Sequence, residues 1–349
     1  MERISRRWPE LVATHSRRSN SRNFRFDESD ARVRPARSTR PRSKDRPTHE
    51  SAIRAFVVQV DRGRSTCVTE DGVTVSSMKA RELGKNSVVV GDQVALVGDT
   101  SGKEGTLARI VSVYERKNSL TRTVDDGVGF ERMIVANVDQ MVIVVAAANP
   151  EPRAGFVDRC LVVAFDQGIE PLLLITKRDL ADASEFLHLY EALGIPTMQL
   201  QRGDSLDQLR ALLAEKTSVL IGHSGVGKST LVNALLESTV RATGDVNDVT
   251  GRGRHTSSSA TALHLNSGWI IDTPGVRSFG LHHIEIERVL SSFSDLAEVA
   301  TACPKNCTHK IATIEPDCAL NAWADGSPQR SERLASLRRV LDSSEINRL

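Results

Sequence analysis

An eight-residue segment of the 349-residue chain, Gly222–Ser229, has the residue types and spacing of a phosphate-binding loop. It reads G-H-S-G-V-G-K-S and matches the pattern G-x-x-x-x-G-K-[ST]. The glycines let successive backbone N–H groups converge on phosphate oxygens at a helix N-terminus, whose dipole already favours an anion. In that arrangement Lys228 reaches the β- and γ-phosphates and Ser229 offers its hydroxyl oxygen to Mg²⁺. The segment therefore predicts a nucleoside triphosphate site.

The segments on either side of this loop predict the strand and the helix that flank phosphate-binding loops. Thr217–Ile221 is an apolar run that predicts a buried strand, and Thr230–Leu236 predicts the first turns of an amphipathic helix. Strand, glycine loop and helix is the context of a phosphate-binding loop. The residues predicted to bind the nucleotide here are Gly222, His223, Ser224, Gly225, Val226, Gly227, Lys228, Ser229 and Thr230.

A second segment, Asp272–Gly275, has the D-x-x-G pattern of a nucleotide-state switch. It follows an apolar strand at Trp269–Ile271 and comes after the phosphate loop in the chain. An Asp at the carboxyl end of a strand can hold Mg²⁺, usually through water, and the Gly lets a backbone N–H approach the γ-phosphate. We predict these roles for Asp272 and Gly275.

A third segment, Thr176–Asp179, reads T-K-R-D after the apolar run Leu172–Ile175. It resembles the guanine-reading [N/T]-K-x-D of GTPases. The carboxylate of Asp179 can accept two hydrogen bonds, from N1–H and the amino group of guanine, and adenine offers no such pair. The stem of Lys177 can cover a face of the base. Thr176 stands where Asn is commoner, which shortens or removes one side-chain contact to the base edge.

The order of the three motifs is unusual, because ordinary GTPases begin with the phosphate loop and place the guanine motif late. A circular permutation of the chain assembles the same parallel sheet. Continuous apolar strands at Met141–Ala147 and Pro171–Ile175 alternate with helical stretches at Val157–Asp166 and Ala183–Leu193. This alternation predicts a doubly wound α/β domain, with nucleotide at the carboxyl ends of its strands.

Further motifs make the chain similar to the ribosome small-subunit-dependent GTPase A family, from about residue 53 to about residue 320. They are R-K-N-S-L-x-R at Arg116–Arg122, A-N-x-D-Q at Ala136–Gln140, G-R-G-R-H-T at Gly251–Thr256 and D-T-P-G-x-R-x-F-G at Asp272–Gly280. The resemblance implies an OB-fold first, then a permuted GTPase domain, then a helical zinc-binding domain. It also implies a GTP hydrolase that acts late in 30S subunit maturation and is stimulated by the subunit.

We therefore predict four segments: a disordered basic arm at 1–50, an OB-fold RNA-binding domain at 51–118, the permuted GTPase domain at 119–283 and the zinc-binding helices at 284–349. Residues 1–50 carry 14 Arg and Lys against 7 Asp and Glu, in a chain of net charge +2. They are rich in Ser and Pro and poor in aliphatic residues, which predicts disorder. Both an RNA partner and a merely solubilising tail fit such an arm.

Residues 51–118 predict a small barrel, since five short strands alternate with Gly, Asp and Ser turns. Aromatic residues that could stack on bases are scarce there (Phe56 and Tyr114), so backbone or shape recognition of RNA is expected rather than base readout. The resemblance implies that this RNA is 16S rRNA. From the residues alone, a barrel that binds no RNA is equally compatible. The predicted strands are Ile53–Val60, Ser65–Val68, Val73–Ser76, Gln93–Val97 and Thr106–Val113, and the candidate phosphate contacts are Lys79, Arg81, Lys85, Arg109, Arg116 and Lys117.

A cluster of thiol and imidazole groups, Cys303, Cys307, His309 and Cys318, lies near the C-terminus. Three Cys and one His fit a tetrahedral zinc site that is closed and therefore structural, and thiolates favour Zn²⁺ over Mg²⁺. The spacing here, C-x3-C-x-H-x8-C, departs from the C-x4-C-x-H-x5-C of the family. Cysteines buried as small apolar residues are the alternative.

Hydrolysis needs a group that orients the attacking water. Val276 follows D-x-x-G where many GTPases have Gln, and its side chain cannot orient water, so slow intrinsic hydrolysis with stimulation by a partner is expected. His255 is the best internal substitute, because an imidazole can hydrogen-bond water near neutral pH. The resemblance implies the same catalytic role; a loop histidine facing solvent or ribosome is the alternative. Thr256 is predicted to supply the switch hydroxyl to Mg²⁺.

Composition excludes several classes of protein. No stretch approaches the ~20 apolar residues of a membrane span, the start does not read as a signal peptide, and five cysteines with three clustered do not form an extracellular disulfide framework. We expect a cytoplasmic monomer that binds GTP or GDP and the 30S subunit. Two rival functions are a nucleotide-dependent RNA-binding module with incidental hydrolysis, and a P-loop ATPase or kinase, against which the Asp179 carboxylate argues.

Overall fold

Short antiparallel strands at the start of the described chain close into a barrel. The structure is a computed structural model that describes residues 51–61, 63–84, 87–123, 131–243, 260–273, 284–310 and 317–343. The barrel strands are β1 (Ile53–Asp61), β2 (Arg64–Thr69), β3 (Thr74–Lys79), β4 (Gln93–Gly98) and β5 (Ala108–Val113).

These strands are hydrogen-bonded in the order β1-β2-β3-β5-β4, and β4 pairs back onto β1. Buried and exposed residues alternate along β2 and β3, as expected for strands with one face toward a core. The interior is filled by apolar side chains that include Val57, Cys67, Val75, Leu96 and Ile110. The predicted five-stranded, OB-like barrel is confirmed.

A hairpin and a second sheet follow the barrel. The hairpin consists of β6 (Ser119–Thr123) and β7 (Glu131–Ala136). The second sheet runs in the order β10-β9-β8-β11-β13-β12, with parallel pairing throughout except for the antiparallel β12–β13 pair. Its strands are β8 (Gln140–Ala146), β9 (Glu170–Thr176), β10 (Thr197–Gln199), β11 (Thr217–Ile221), β12 (Thr261–Leu265) and β13 (Gly268–Asp272).

Both faces of this second sheet are covered by helices, which explains why every residue of β8 is buried. One apolar core contains side chains of α1 and α2, and the core on the opposite side of the sheet contains side chains of α3 and α4. The doubly wound α/β architecture is therefore confirmed. These helices are α1 (Ala154–Asp166), α2 (Ser184–Glu191), α3 (Asp207–Leu213) and α4 (Lys228–Thr243).

Four C-terminal helices share the apolar core of α1 and α2. Arg339 on the last of them pairs with the buried carboxylate of Asp158 on α1, at 3.2 Å. Within the described residues, no helix has the length and apolar character needed to cross a membrane. The C-terminal helices are α5 (Ile286–Ser291), α6 (Ser294–Ala300), α7 (Ala319–Ala324) and α8 (Pro328–Ser343).

The barrel and the second sheet are joined by backbone pairing. β1 pairs with β12 at Gln59 and Thr261, so eleven strands form one continuous hydrogen-bonded sheet. Residues 49–349 form one compact unit. The predicted boundaries at residues 118 and 283 stay predictions.

Candidate nucleotide site and metal cluster

The turn after β11 brings the main chain unusually close to a neighbouring strand. A Cβ on Gly222 would overlap the carbonyl oxygen of Val144 on β8, so only glycine fits there. Gly227 has φ +97°, a conformation that side chains rarely adopt, and α4 begins at the next residue. Backbone N–H groups of this turn therefore lie at the N-terminus of a helix, which is the geometry of an anion site.

Lys228 and Asp272 form the charged centre of this region. Burial lowers the pKa of the Lys228 ammonium and raises the pKa of the Asp272 carboxyl, and in each case the other residue opposes the shift. Lys228 Nζ donates hydrogen bonds to the carbonyl oxygens of Gly222 and His223, the latter at 2.9 Å. Of these two partly desolvated groups, the ammonium can neutralise a phosphate and the carboxylate can hold a divalent cation.

The T-K-R-D segment lies directly against this loop. Thr176, the last residue of β9, is buried, and its Oγ1 donates a hydrogen bond to the carbonyl oxygen of Val226 at 2.5 Å. Lys177 has a positive φ of 55°, and its Nζ donates to the carbonyl oxygen of Asn149. Asp179 is exposed. The strand order therefore assembles the guanine motif and the phosphate loop in space, although they occur in the reverse of the usual order.

The other predicted loop residues differ in their surroundings. His223 packs its ring against Phe156 of α1, with the ring centroids 4.3 Å apart. Val226 is buried, so its side chain belongs to the core under the loop. Four residues of the loop and helix start are exposed: Ser224, Gly225, Ser229 and Thr230.

The segment that follows β10 also contacts the T-K-R-D motif. The chain after β10 is held there by Arg178, whose guanidinium contacts Asp204 at 3.0 and 3.2 Å and whose backbone N–H donates to Leu200. Arg178 lowers the pKa of the Asp204 carboxyl. The strand before this segment, Thr197–Gln199, has three residues and is too short to be recognised from its sequence pattern.

The four residues of the thiol and imidazole cluster meet near the start of α7. Their ligand atoms all lie within 4.8 Å of one another. Cys303 Sγ is 3.5 Å from His309 Nδ1 and 3.9 Å from Cys318 Sγ, and Cys318 Sγ is 3.8 Å from the same nitrogen. Ligands around a tetrahedral zinc are about 3.5–3.8 Å apart. The residues present therefore fit such an ion despite their altered spacing.

Comparisons with known proteins agree with this geometry. The family model for the RsgA GTPase matches residues 113–282. The "Small ribosomal subunit biogenesis GTPase RsgA" of Pseudomonas aeruginosa LESB58 is 38% identical over 267 residues, which cover 74% of this chain and 76% of that protein. The chain belongs to the RsgA GTPase family. A protein of the same description from Shewanella oneidensis MR-1 is 35% identical over 293 residues, covering 80% of each chain.

Solved structures show the same architecture as this RsgA-family chain. The crystal structure of YjeQ from Thermotoga maritima covers 83% of this chain and 98% of its own, with a TM-score of 0.58 and 25% identity. The structure described as YloQ, a circularly permuted GTPase, has a TM-score of 0.58 at 23% identity and supports the fold. This member of the RsgA family is a GTP-hydrolysing enzyme.

Two basic residues proposed as RNA contacts form ion pairs with carboxylates of this RsgA-family protein. Arg116 forms a two-pronged ion pair with the fully buried Asp92, at 2.6 and 2.9 Å, and Lys117 pairs with Asp139 at 2.7 Å. The charge of Arg116 is therefore already matched by a carboxylate, and its contact with phosphate stays a prediction. Of the other candidates, Lys79 donates to the carbonyl of Gly84, Arg81 and Arg109 are exposed, and Lys85 lies outside the described residues.

The other predicted catalytic and switch residues lie in segments that the structure does not describe. His255, Thr256, Gly275 and Val276 lie outside the described residues, as does the arm at 1–50. Their roles in this RsgA-family enzyme stay predictions.

Proposed function

We propose that this RsgA-family GTPase binds the small ribosomal subunit through 16S rRNA and assists its late maturation, with slow intrinsic hydrolysis that the subunit stimulates. The observation that carries the nucleotide part is the contact between Thr176 and the carbonyl of Val226, which joins a guanine motif to a phosphate loop. The partner is supported by the name of the curated relatives, small ribosomal subunit biogenesis GTPase.

The proposed nucleotide contacts follow from this arrangement. The exposed carboxylate of Asp179 accepts the paired donors of guanine, and Lys177 covers the base. Lys228 neutralises the β- and γ-phosphates when they displace its main-chain partners. Ser229 and Asp272 hold Mg²⁺, and that ion would supply charge neutralisation of the phosphates.

Hydrolysis in this proposal depends on His255, because Val276 cannot orient water. Thr256 supplies a switch hydroxyl to Mg²⁺, and Gly275 brings a backbone N–H to the γ-phosphate. The subunit completes this geometry, which explains why the isolated protein would be slow.

We also propose that the cysteine cluster holds one Zn²⁺ in a structural role. Cys303, Cys307, His309 and Cys318 supply soft ligands, and a closed set of four leaves no position for a substrate. The backbone N–H of Ala319 donates to Cys303 Sγ at 3.3 Å, which fixes the orientation of that sulfur. The ion would link Cys303, Cys307 and His309, which precede α7, to Cys318 at the start of that helix. Because subunits mature in the cytoplasm, we place the protein there, acting as a monomer.

GTP turnover with purified 30S, 50S and 70S particles tests the function. We expect low basal turnover that rises with 30S subunits and not with 50S subunits. Lys228→Ala serves as the inactive control, since any residual turnover then comes from contaminants. Turnover that is unchanged by 30S subunits would contradict the proposed partner.

His255→Ala tests the catalytic assignment separately. GTP affinity should stay unchanged, because the base and phosphates are held by other groups. Stimulated turnover should fall about 10²–10⁴-fold, the usual worth of a positioned acid–base group. Normal turnover at saturating subunit, with weaker subunit binding, would make His255 a docking residue instead.

A further inference from the structure

A groove of about 600 Å³ lies where the barrel meets the β12–β13 hairpin. Its floor and walls come from the first half of β1, the end of β2, the start of β4 and one face of the hairpin. It is separate from the phosphate loop and from the cysteine cluster, because it shares no lining residue with them. The side chains used below are Arg54, Phe56, Glu70, Gln93, His264 and Trp269.

Aromatic rings from both parts of the protein form one wall of this groove. The ring of Trp269 on β13 lies 4.8 Å from that of Phe56 on β1 and 4.7 Å from that of His264 on β12, measured between centroids. Phe56 is buried, Trp269 is half-buried and His264 is exposed. The barrel by itself is poor in stacking residues, and the hairpin supplies the ones that it lacks.

Polar groups line the opening. The exposed Arg54 guanidinium lies over the ring of Tyr114, 4.9 Å from its centroid, and its Nε donates to Gln93 Oε1 at 3.3 Å. Glu70, also exposed, adds a carboxylate at the end of β2. The groove thus combines an aromatic wall, a cation, and hydrogen-bond donors and acceptors. A wall of this kind can stack on a base, the donors and acceptors can bind the base edge, and the cation can bind the adjoining phosphate.

The groove lies at the opposite end of β1 from the β1–β2 loop, one of the two loops that OB-folds usually use for binding. It lies beside the turn from β2 to β3, since Ala55 pairs with Thr69 and Phe56 with Gln93 at that end. The β4–β5 loop, which is the second such loop, reaches the same turn, because a Cβ on Gly102 would lie 2.7 Å from the carbonyl oxygen of Thr74. An RNA strand in the groove would therefore lie away from the β1–β2 loop and would extend from the barrel onto the β12–β13 hairpin.

We propose that this groove binds an unpaired nucleobase of an RNA strand, with Arg54 beside the adjoining phosphate. The volume suits one nucleotide, and the exposed ring of His264 offers a surface for stacking. The proposal rests on the proposed function only in taking RNA as the partner. It adds a base contact to which β12 and β13 contribute. These two strands lie in the sequence between the predicted switch residues Thr256 and Gly275.

Tryptophan fluorescence can report binding at the groove itself. The chain contains three tryptophans, so Trp8→Phe and Trp323→Phe in the full-length protein leave Trp269 as the single emitter. An eight-nucleotide adenylate RNA should quench this emission. An abasic ribose-phosphate chain of the same length should bind at least about tenfold more weakly, because stacking is lost. Equal binding of the two chains would overturn the proposal.

Substitutions then locate the contact. In the same background, Arg54→Ala and His264→Ala should each raise the Kd for the adenylate RNA about five- to tenfold. Arg288→Ala removes an exposed arginine of α5 that does not line the groove and is not a candidate RNA contact, and it should change the Kd less than about twofold. Circular dichroism checks that each variant is folded.

An Arg288→Ala effect as large as that of Arg54→Ala, or no effect of either groove variant, would overturn the groove assignment. The result is independent of the proposed function, which is tested by stimulation of GTP turnover in the unaltered protein. If 30S subunits stimulate GTP turnover but the abasic and adenylate chains bind equally well, the proposed function is supported and the groove is not an RNA-binding site.

Discussion

Thr176 and Val226 are fifty residues apart in sequence, and the hydroxyl of the first donates a 2.5 Å hydrogen bond to the main-chain carbonyl of the second. Both groups are buried. The bond therefore fixes the predicted guanine motif to the predicted phosphate loop. The Thr that replaces the commoner Asn therefore has a structural partner in this protein.

Removing the hydroxyl tests that link. Thr176→Val keeps the side-chain shape but leaves the Val226 carbonyl without its donor, so we expect about 1–3 kcal/mol lower stability. GTP affinity should also fall. Thr176→Ser retains the hydroxyl and should stay within about 1 kcal/mol of the original chain. Urea unfolding and nucleotide titration measure both effects, and equal stability of the two variants would contradict the role of the bond.

Lys228→Ala should abolish triphosphate binding, because the phosphates lose a charge-assisted contact. Lys216→Ala is the matched control, since Lys216 precedes the same strand and pairs with Glu170 at 2.7 Å, away from the loop. We expect the control to bind GTP normally in equilibrium titrations with a labelled nucleotide. If Lys228→Ala binds GTP as tightly as the unaltered protein, the loop is not part of the nucleotide site.

Asp179→Asn should weaken the preference for guanine by about 1–3 kcal/mol, because an amide cannot accept both donors of the base. Competition of GTP, ATP and XTP for the site measures the preference, and XTP should gain relative to GTP. Asp182→Asn, three residues further on and hydrogen-bonded to Ser184, should leave it unchanged. An unaltered competition order in Asp179→Asn would show that the base is read elsewhere.

Metal analysis tests the cysteine cluster. Protein purified without chelators should contain about one zinc per chain, and Cys307→Ser should lower both the zinc content and the stability. Cys67→Ser is the control, because burial raises the pKa of the Cys67 thiol to about 11 and it lies inside the barrel. Zinc retained in full by Cys307→Ser, or absent from the original chain, would rule out the site.

A pH-dependent contribution is expected where α2 meets α8. Hydrogen bonding to Glu191, and then the charge of Glu332, raise the pKa of His188 above its ordinary 6.5. A raised folded pKa means that the stabilisation is present below the unfolded pKa and is lost as pH rises through the folded one. The stability difference between the original chain and His188→Gln should therefore be larger at about pH 5.5 than at about pH 9. The effect will be small because the group is exposed, and a difference independent of pH would contradict it.

The sequence by itself determined the chemistry of this protein. Gly222–Ser229, Thr176–Asp179 and Asp272–Gly275 are contiguous motifs, and a contiguous motif specifies its own local backbone and donors. The alternation of apolar strands and helices likewise specified the doubly wound sheet, and the even spacing of short strands specified the barrel.

Only the tertiary structure decided how those pieces meet. It paired β1 with β12, which brought Trp269 and His264 to the barrel, and it matched Arg116 to the buried Asp92. It also brought Cys318 to Cys303 across a loop longer than the family spacing. Such contacts join residues far apart in the chain, and their partners are selected by packing and charge burial across several elements at once. No local pattern in the sequence carries that information.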